Sequence, residues 1–145
     1  MSPRDLIWAA LGVELAGQAF DITWHALNPG FNATTVQEMA WHLGTVHFPI
    51  YAGVACVLLA TAWALLDGIR RSRIGVALPI AFAGALVSAA GESWHAYEHL
   101  QLSTHAGPIA AAVSFGGFIV VVGALWSSRR RERHQADDID RRRAA

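Results

Sequence analysis

The sequence predicts an all-α integral membrane protein built as a four-transmembrane-helix bundle. Three observations predict it. Four long runs are almost free of charge, the charged residues collect at the breaks and ends, and the six tryptophans fall near the ends of those runs. The chain is 54% apolar over 145 residues, and a soluble domain would spread its charge over its surface instead. No run alternates with period two, which excludes a barrel.

The runs cover residues 6–27, 41–66, 74–100 and 106–126. Each is close to or above the roughly 20 residues that cross hydrocarbon as a helix. The first is the least clean, because it carries Glu14 and Asp21. Those acids, with no small-residue cleavage site after a clean apolar core, also argue against a signal peptide. Asn28-Pro29-Gly30 ends the first run, Asp67-Gly68 and arginines end the second, and Ser103-Thr104-His105 leads into the fourth. Residues 1–128 are therefore expected to form the membrane domain. Residues 129–145 form a charged cytoplasmic tail, mobile or briefly helical. Its arginines are suited to anionic lipid headgroups, at about 1 kcal/mol each.

Trp8, Trp63 and Trp126 mark one membrane face, and Trp24, Trp41 and Trp94 the other. Arg4, the Arg70/Arg71/Arg73 cluster and the arginine-rich tail all fall on one side, whereas residues 28–40 and 101–104 hold no Lys or Arg. By the positive-inside rule both termini are cytoplasmic. A bacterial inner (plasma) membrane is the expected location. A net charge of +0 gives no pull toward nucleic acid. The one cysteine, Cys56, has no intramolecular disulfide partner.

The two halves resemble each other. The segment from Gly17 to His25 aligns without gaps on Gly91 to His99, pairing Gly17 with Gly91, Asp21 with His95 and His25 with His99. His47-Phe48-Pro49-Ile50 then resembles His105-Ala106-Gly107-Pro108-Ile109 with one insertion. These matches predict two duplicated helical hairpins, at about residues 6–66 and 74–126, related by an axis along the membrane normal.

Ionisable groups inside a span are costly, by roughly 2.5 kcal/mol or more, and face the protein interior. Glu14, Gln18, Asp21 and His25 form a stripe about 60° wide on the first helix. Glu92, His95 and His99 form a similar stripe on the third, with Glu98 about 120° from Glu92. On the second helix Glu38, His42 and Thr45 share one face, and His47 is expected on another. His105 opens the fourth. The topology places His25, His42, His47, His95, His99 and His105 in one outer layer, leaving only His134 in the tail.

Neutral imidazole is the commonest protein metal ligand, and a cation offsets buried carboxylates. The predicted ligands are thus His25, His42, His47, His95, His99, His105, Asp21, Glu92 and Glu14, enough for about two or three ions per chain. Nitrogen and oxygen donors without thiolate favour iron or copper, with zinc and manganese as further candidates. Haem fits less well, since porphyrin ligation has no need of the carboxylates. Glu92-Ser93-Trp94-His95 is a Glu-x-x-His, the element of di-iron bundles, though the first half has Gln18 and Asp21 in its place. His95-Ala96-Tyr97-Glu98-His99 matches an inverted zinc-protease pattern that belongs to soluble enzymes. Asp21-x-x-x-His25, followed by a histidine on the next helix, resembles the copper site in the membrane subunit of particulate methane monooxygenase over the ligand region alone, which implies copper ligation but no kinship.

The expected function is a membrane redox enzyme, an oxygen-dependent oxidase or hydroxylase acting on a lipophilic small molecule, with Glu98 and Glu38 moving protons. Membrane lipids, the lipophilic molecule and oxygen are its expected partners, with a homo-oligomer as a further arrangement. The alternatives are a metal-ion transporter or uptake protein, and a metal- or haem-based membrane sensor. The apolar inner halves of the runs weigh against a permeation path.

Overall fold

The computed structural model describes residues 2–72, 74–102 and 108–144, which are helical with short connections and hold no strand. Helix α1 spans Pro3–Leu27, α2 Val36–His42, α3 Phe48–Arg70, α4 Ala77–Leu100 and α5 Pro108–Ala144. A π-helical turn, Leu43–His47, joins α2 to α3 without a break.

Local chemistry explains the starts. Ser2 caps α1 in a reciprocal box with Asp5, and Pro3 sits where its missing N–H costs nothing. Thr35 and Glu38 make the same box for α2. The π turn also has a local cause. Pro49 cannot donate to the Thr45 carbonyl, and its ring crowds that carbonyl, so the ladder widens just before it. The Thr45 hydroxyl donates back to the Trp41 carbonyl at 2.8 Å, which loosens the same turn.

Three helices are long and apolar enough to cross a membrane: Pro3–Leu27, Val36–Arg70 and Pro108–Arg131. α4 is as long, but its last turns carry Glu92, His95, Glu98 and His99, and it is not among them. The second span begins earlier than the sequence suggested, because the capping box starts the helix at Val36. The tail is not a separate short element. α5 continues unbroken to Ala144, since no proline interrupts it and Arg, Glu, Gln and Ala favour helix.

α1 packs on α3, α4 packs on α5, and α3 joins the two pairs. Small residues permit the approach. A Cβ on Gly53 would run into the backbone of Glu14, and one on Gly17 would lie 2.6 Å from the Ile50 nitrogen. In the other pair, a Cβ on Gly91 would meet Ser114, and one on Gly117 would meet Ser88. Below these contacts lies an apolar core that includes Ile7, Leu11, Val57, Ala81 and Val121. Arg4 donates to the Ser128 hydroxyl at 3.2 Å, and the Arg129 guanidinium lies 4.9 Å from the Trp8 ring centre, so the start of α1 and residues 128–129 share one end. The exterior is apolar where a soluble protein is polar: Leu59 is 69% exposed and Ile22 67%, while Glu14, His42, Thr61 and Ser114 are fully buried.

Candidate metal centre

His25, His42, His47, His95 and His99 meet at the end of the molecule away from Arg4. α1 brings Asp21 and His25 in its last two turns, and the α2–α3 junction brings His42 and His47. Five residues apart on a regular α-helix, His42 and His47 would point about 140° from each other. The π turn overturns the expected separation by adding a residue to one turn. Their Nε2 atoms face each other at 3.2 Å. On α4, His95 and His99 are four apart on an unbroken helix, and their Nε2 atoms also stand 3.2 Å apart. Spacings of five and four thus give the same pair geometry.

Asp21 ties the first group together. Its Oδ1 lies 3.5 Å from His25 Nε2 and 3.4 Å from His47 Nε2. His25, His42 and His47 each offer a ligand atom, all within 4.8 Å of one another, and this set could hold a metal ion. The second pair lies beside it. The His47 ring centre is 5.7 Å from that of His95 and 5.2 Å from that of His99.

The pair distance has a chemical meaning. Two imidazoles bound as neighbours to one ion at about 2.0–2.1 Å stand about 3.3 Å apart, whereas ligands on opposite sides stand about 4 Å apart. The observed 3.2 Å fits neighbours on one ion, and not the two faces of a haem. The Nδ1 atoms of His42, His47, His95 and His99 are buried with no hydrogen-bond partner among the described residues. Packing orients the rings instead. Phe31 stacks on His42 with centres 4.3 Å apart, Trp24 lies 4.7 Å from the same ring, and Tyr51 stacks on His47 at 6.1 Å. Sequence reading missed all three in this role. Tyr51 carried a signal, four residues after His47, but Phe31 sits in a loop and carried none.

Glu14, Glu92 and Glu98 are not in that three-histidine set. Glu14 is fully buried, and its Oε1 accepts from the Ser88 hydroxyl at 3.2 Å, which in turn lies 3.3 Å from that of Ser114. It shares a face with His25 but sits three turns, or about 16 Å, further along the helix. Glu92 is buried beside Tyr51 at a groove between α3 and α4. Glu98 is half-buried in the last turn of α4. His105 lies outside the described residues.

Glu38, expected to move protons, is exposed and engaged in the α2 cap. It accepts from the Thr34 and Thr35 backbone N–H groups at 2.8 and 3.3 Å. Replacing Thr35 by alanine should therefore lower stability by about 1 kcal/mol while metal content stays unchanged. Thermal unfolding and metal analysis on one sample check this, and loss of metal would instead place the cap within the centre.

No protein-family model, curated protein or solved structure matches the chain.

Proposed function

We propose that this chain is a membrane metalloprotein whose histidines and Asp21 hold more than one transition-metal ion, and that it oxidises a lipophilic small molecule with dioxygen. The observation that carries the reading is the pair of imidazole couples, His42/His47 and His95/His99, each with Nε2 atoms at 3.2 Å and side by side in the molecule. We assign His25, His42, His47 and Asp21 to one ion and His95 and His99 to another. Iron and copper suit this nitrogen and oxygen set best. When bound, the ions would exchange electrons with oxygen and substrate. The protein's part is to hold the rings in register, keep bulk water out with Phe31, Trp24 and Tyr51, and move protons through Glu98.

In this reading α4 is a fourth span. It runs along α5, and its polar end meets the histidines of the other helices. The hairpins are read as duplicates, because the matched Gly17 and Gly91 do the same work, each letting the following helix approach closely. The arginine-bearing end is read as cytoplasmic. Beyond the buried Glu14, Ser88 and Ser114, the core of Ile7, Leu11, Val57, Ala81 and Val121 is apolar, which supports an enzyme over a transporter.

Metal analysis of protein purified in mild detergent, without chelator or nickel resin, tests the reading. The expected result is more than one iron or copper ion per chain, with an absorption spectrum free of a Soret band. Folded protein free of metal after supply of each ion would overturn it.

A further inference from the structure

The groove beside the metal centre has a composition of its own. It lies between α3 and α4 and has a volume of about 320 Å³, at the lower end of the range of small-molecule sites. Val54, Leu58 and Ala89 make its walls apolar. Its outer end holds Tyr51, Glu92 and Ser93. The Ser93 hydroxyl is occupied by the Ala89 carbonyl at 2.8 Å. The Tyr51 hydroxyl and Glu92 Oε2 are different. Both atoms are buried with no hydrogen-bond partner among the described residues, and Glu92 is only 7% exposed. Tyr51 also stacks on His47, so whatever satisfies it lies next to the centre.

We propose that this groove binds a lipid-soluble molecule through a hydroxyl head group, which accepts from the Tyr51 hydroxyl and donates to Glu92 Oε2 while its apolar body lies against Val54, Leu58 and Ala89. The proposal deepens the oxidase reading and rests on it for the chemical sense of a substrate beside the ions. The head group follows from the donor and acceptor inventory. Tyr51 has a proton to donate and Glu92 has a lone pair to fill. An ammonium head has no lone pair for Tyr51, and a carboxylate head has no proton for Glu92. A hydroxyl has both.

The probes are para-octylphenol and its methyl ether, which share an apolar body and differ in the donor. Binding of each is measured by calorimetry on the full chain in mild detergent, with metal content determined on the same samples. The phenol should bind at least about tenfold more tightly than the ether, the cost of leaving a buried acceptor unpaired. Glu92→Met, which removes the acceptor at similar length, should erase most of that preference, whereas Tyr51→Phe removes a donor to the oxygen that both probes carry and should weaken both alike. Ala89→Leu should fill the groove and weaken both probes. Equal binding of the two probes, a preference untouched by Glu92→Met, or binding of both probes untouched by Tyr51→Phe would overturn the proposal and leave the buried polar atoms to water or lipid. The two readings fail separately. Metal without discrimination between the probes overturns the groove alone, and discrimination that survives in metal-free His42→Ala protein leaves the groove standing without the centre.

Discussion

Replacing His47 by alanine should remove most of the bound metal, lowering affinity by at least about a hundredfold. That is the upper end of the loss seen when mere supporting residues around a metal are changed, and His47 is placed as a ligand. Among the described residues, His47 alone joins Asp21 and both histidine pairs. Its Nε2 is 3.2 Å from that of His42 and 3.4 Å from Asp21, and its ring adjoins both His95 and His99. Its loss therefore strips a ligand from the first group and breaks the join to the second. His134→Ala is the control. That histidine is exposed on the far part of α5, and its removal should leave metal content intact. Metal analysis of the two variants beside the parent protein decides it. Equal loss in both, or in neither, would take His47 out of the centre.

Gly53→Leu should be the most damaging change in the apolar part, costing about 3 kcal/mol or more, at the upper end of overpacking effects. Even a Cβ there collides with the backbone of Glu14, so relief requires α1 and α3 to separate rather than one side chain to turn. Separation would also pull Glu14 from Ser88 and shift Asp21 and His25 against the π turn. Gly12→Leu supplies the contrast. Nothing lies within 4 Å of a Cβ at that position, and its substitution should be nearly neutral. Thermal unfolding of the two variants in the same detergent compares them. Similar midpoints would mean that the α1–α3 contact does not limit stability.

How much of this was legible in the sequence depended on how regular the backbone is. The Asp21 and His25 stripe and the His95 and His99 stripe could be read because α1 and α4 are unbroken, so a 3.6-residue period applies. His47 could not be placed that way, because the rule assumes a regular helix and Pro49 widens the turn that carries it. Glu38 carries a structural signal as well. The Thr35-x-x-Glu38 spacing is a capping-box signature, and its carboxylate belonged to the helix start before any proton chemistry. Glu14 shows the limit of angular reasoning, which reports direction around an axis and is silent about height. The helical tail was underestimated because charge was read as a sign of mobility, although its residues are strong helix formers. Ser88 and Ser114, in apolar runs, acquire their meaning only from what faces them.

The Glu14–Ser88–Ser114 contact also bears on the order in which the chain is assembled. α1 is made before α4, yet the Ser88 hydroxyl that donates to its buried carboxyl lies 74 residues later. In the proposed bilayer arrangement, α1 and α3 can enter and pair early, but Glu14 faces hydrocarbon or a stray water until the second hairpin arrives. α1 and α3 alone then leave a buried carboxyl without the hydroxyl that α4 supplies. A chain cut between α3 and α4 should therefore need both pieces made together, since the partner of Glu14 lies on the second piece.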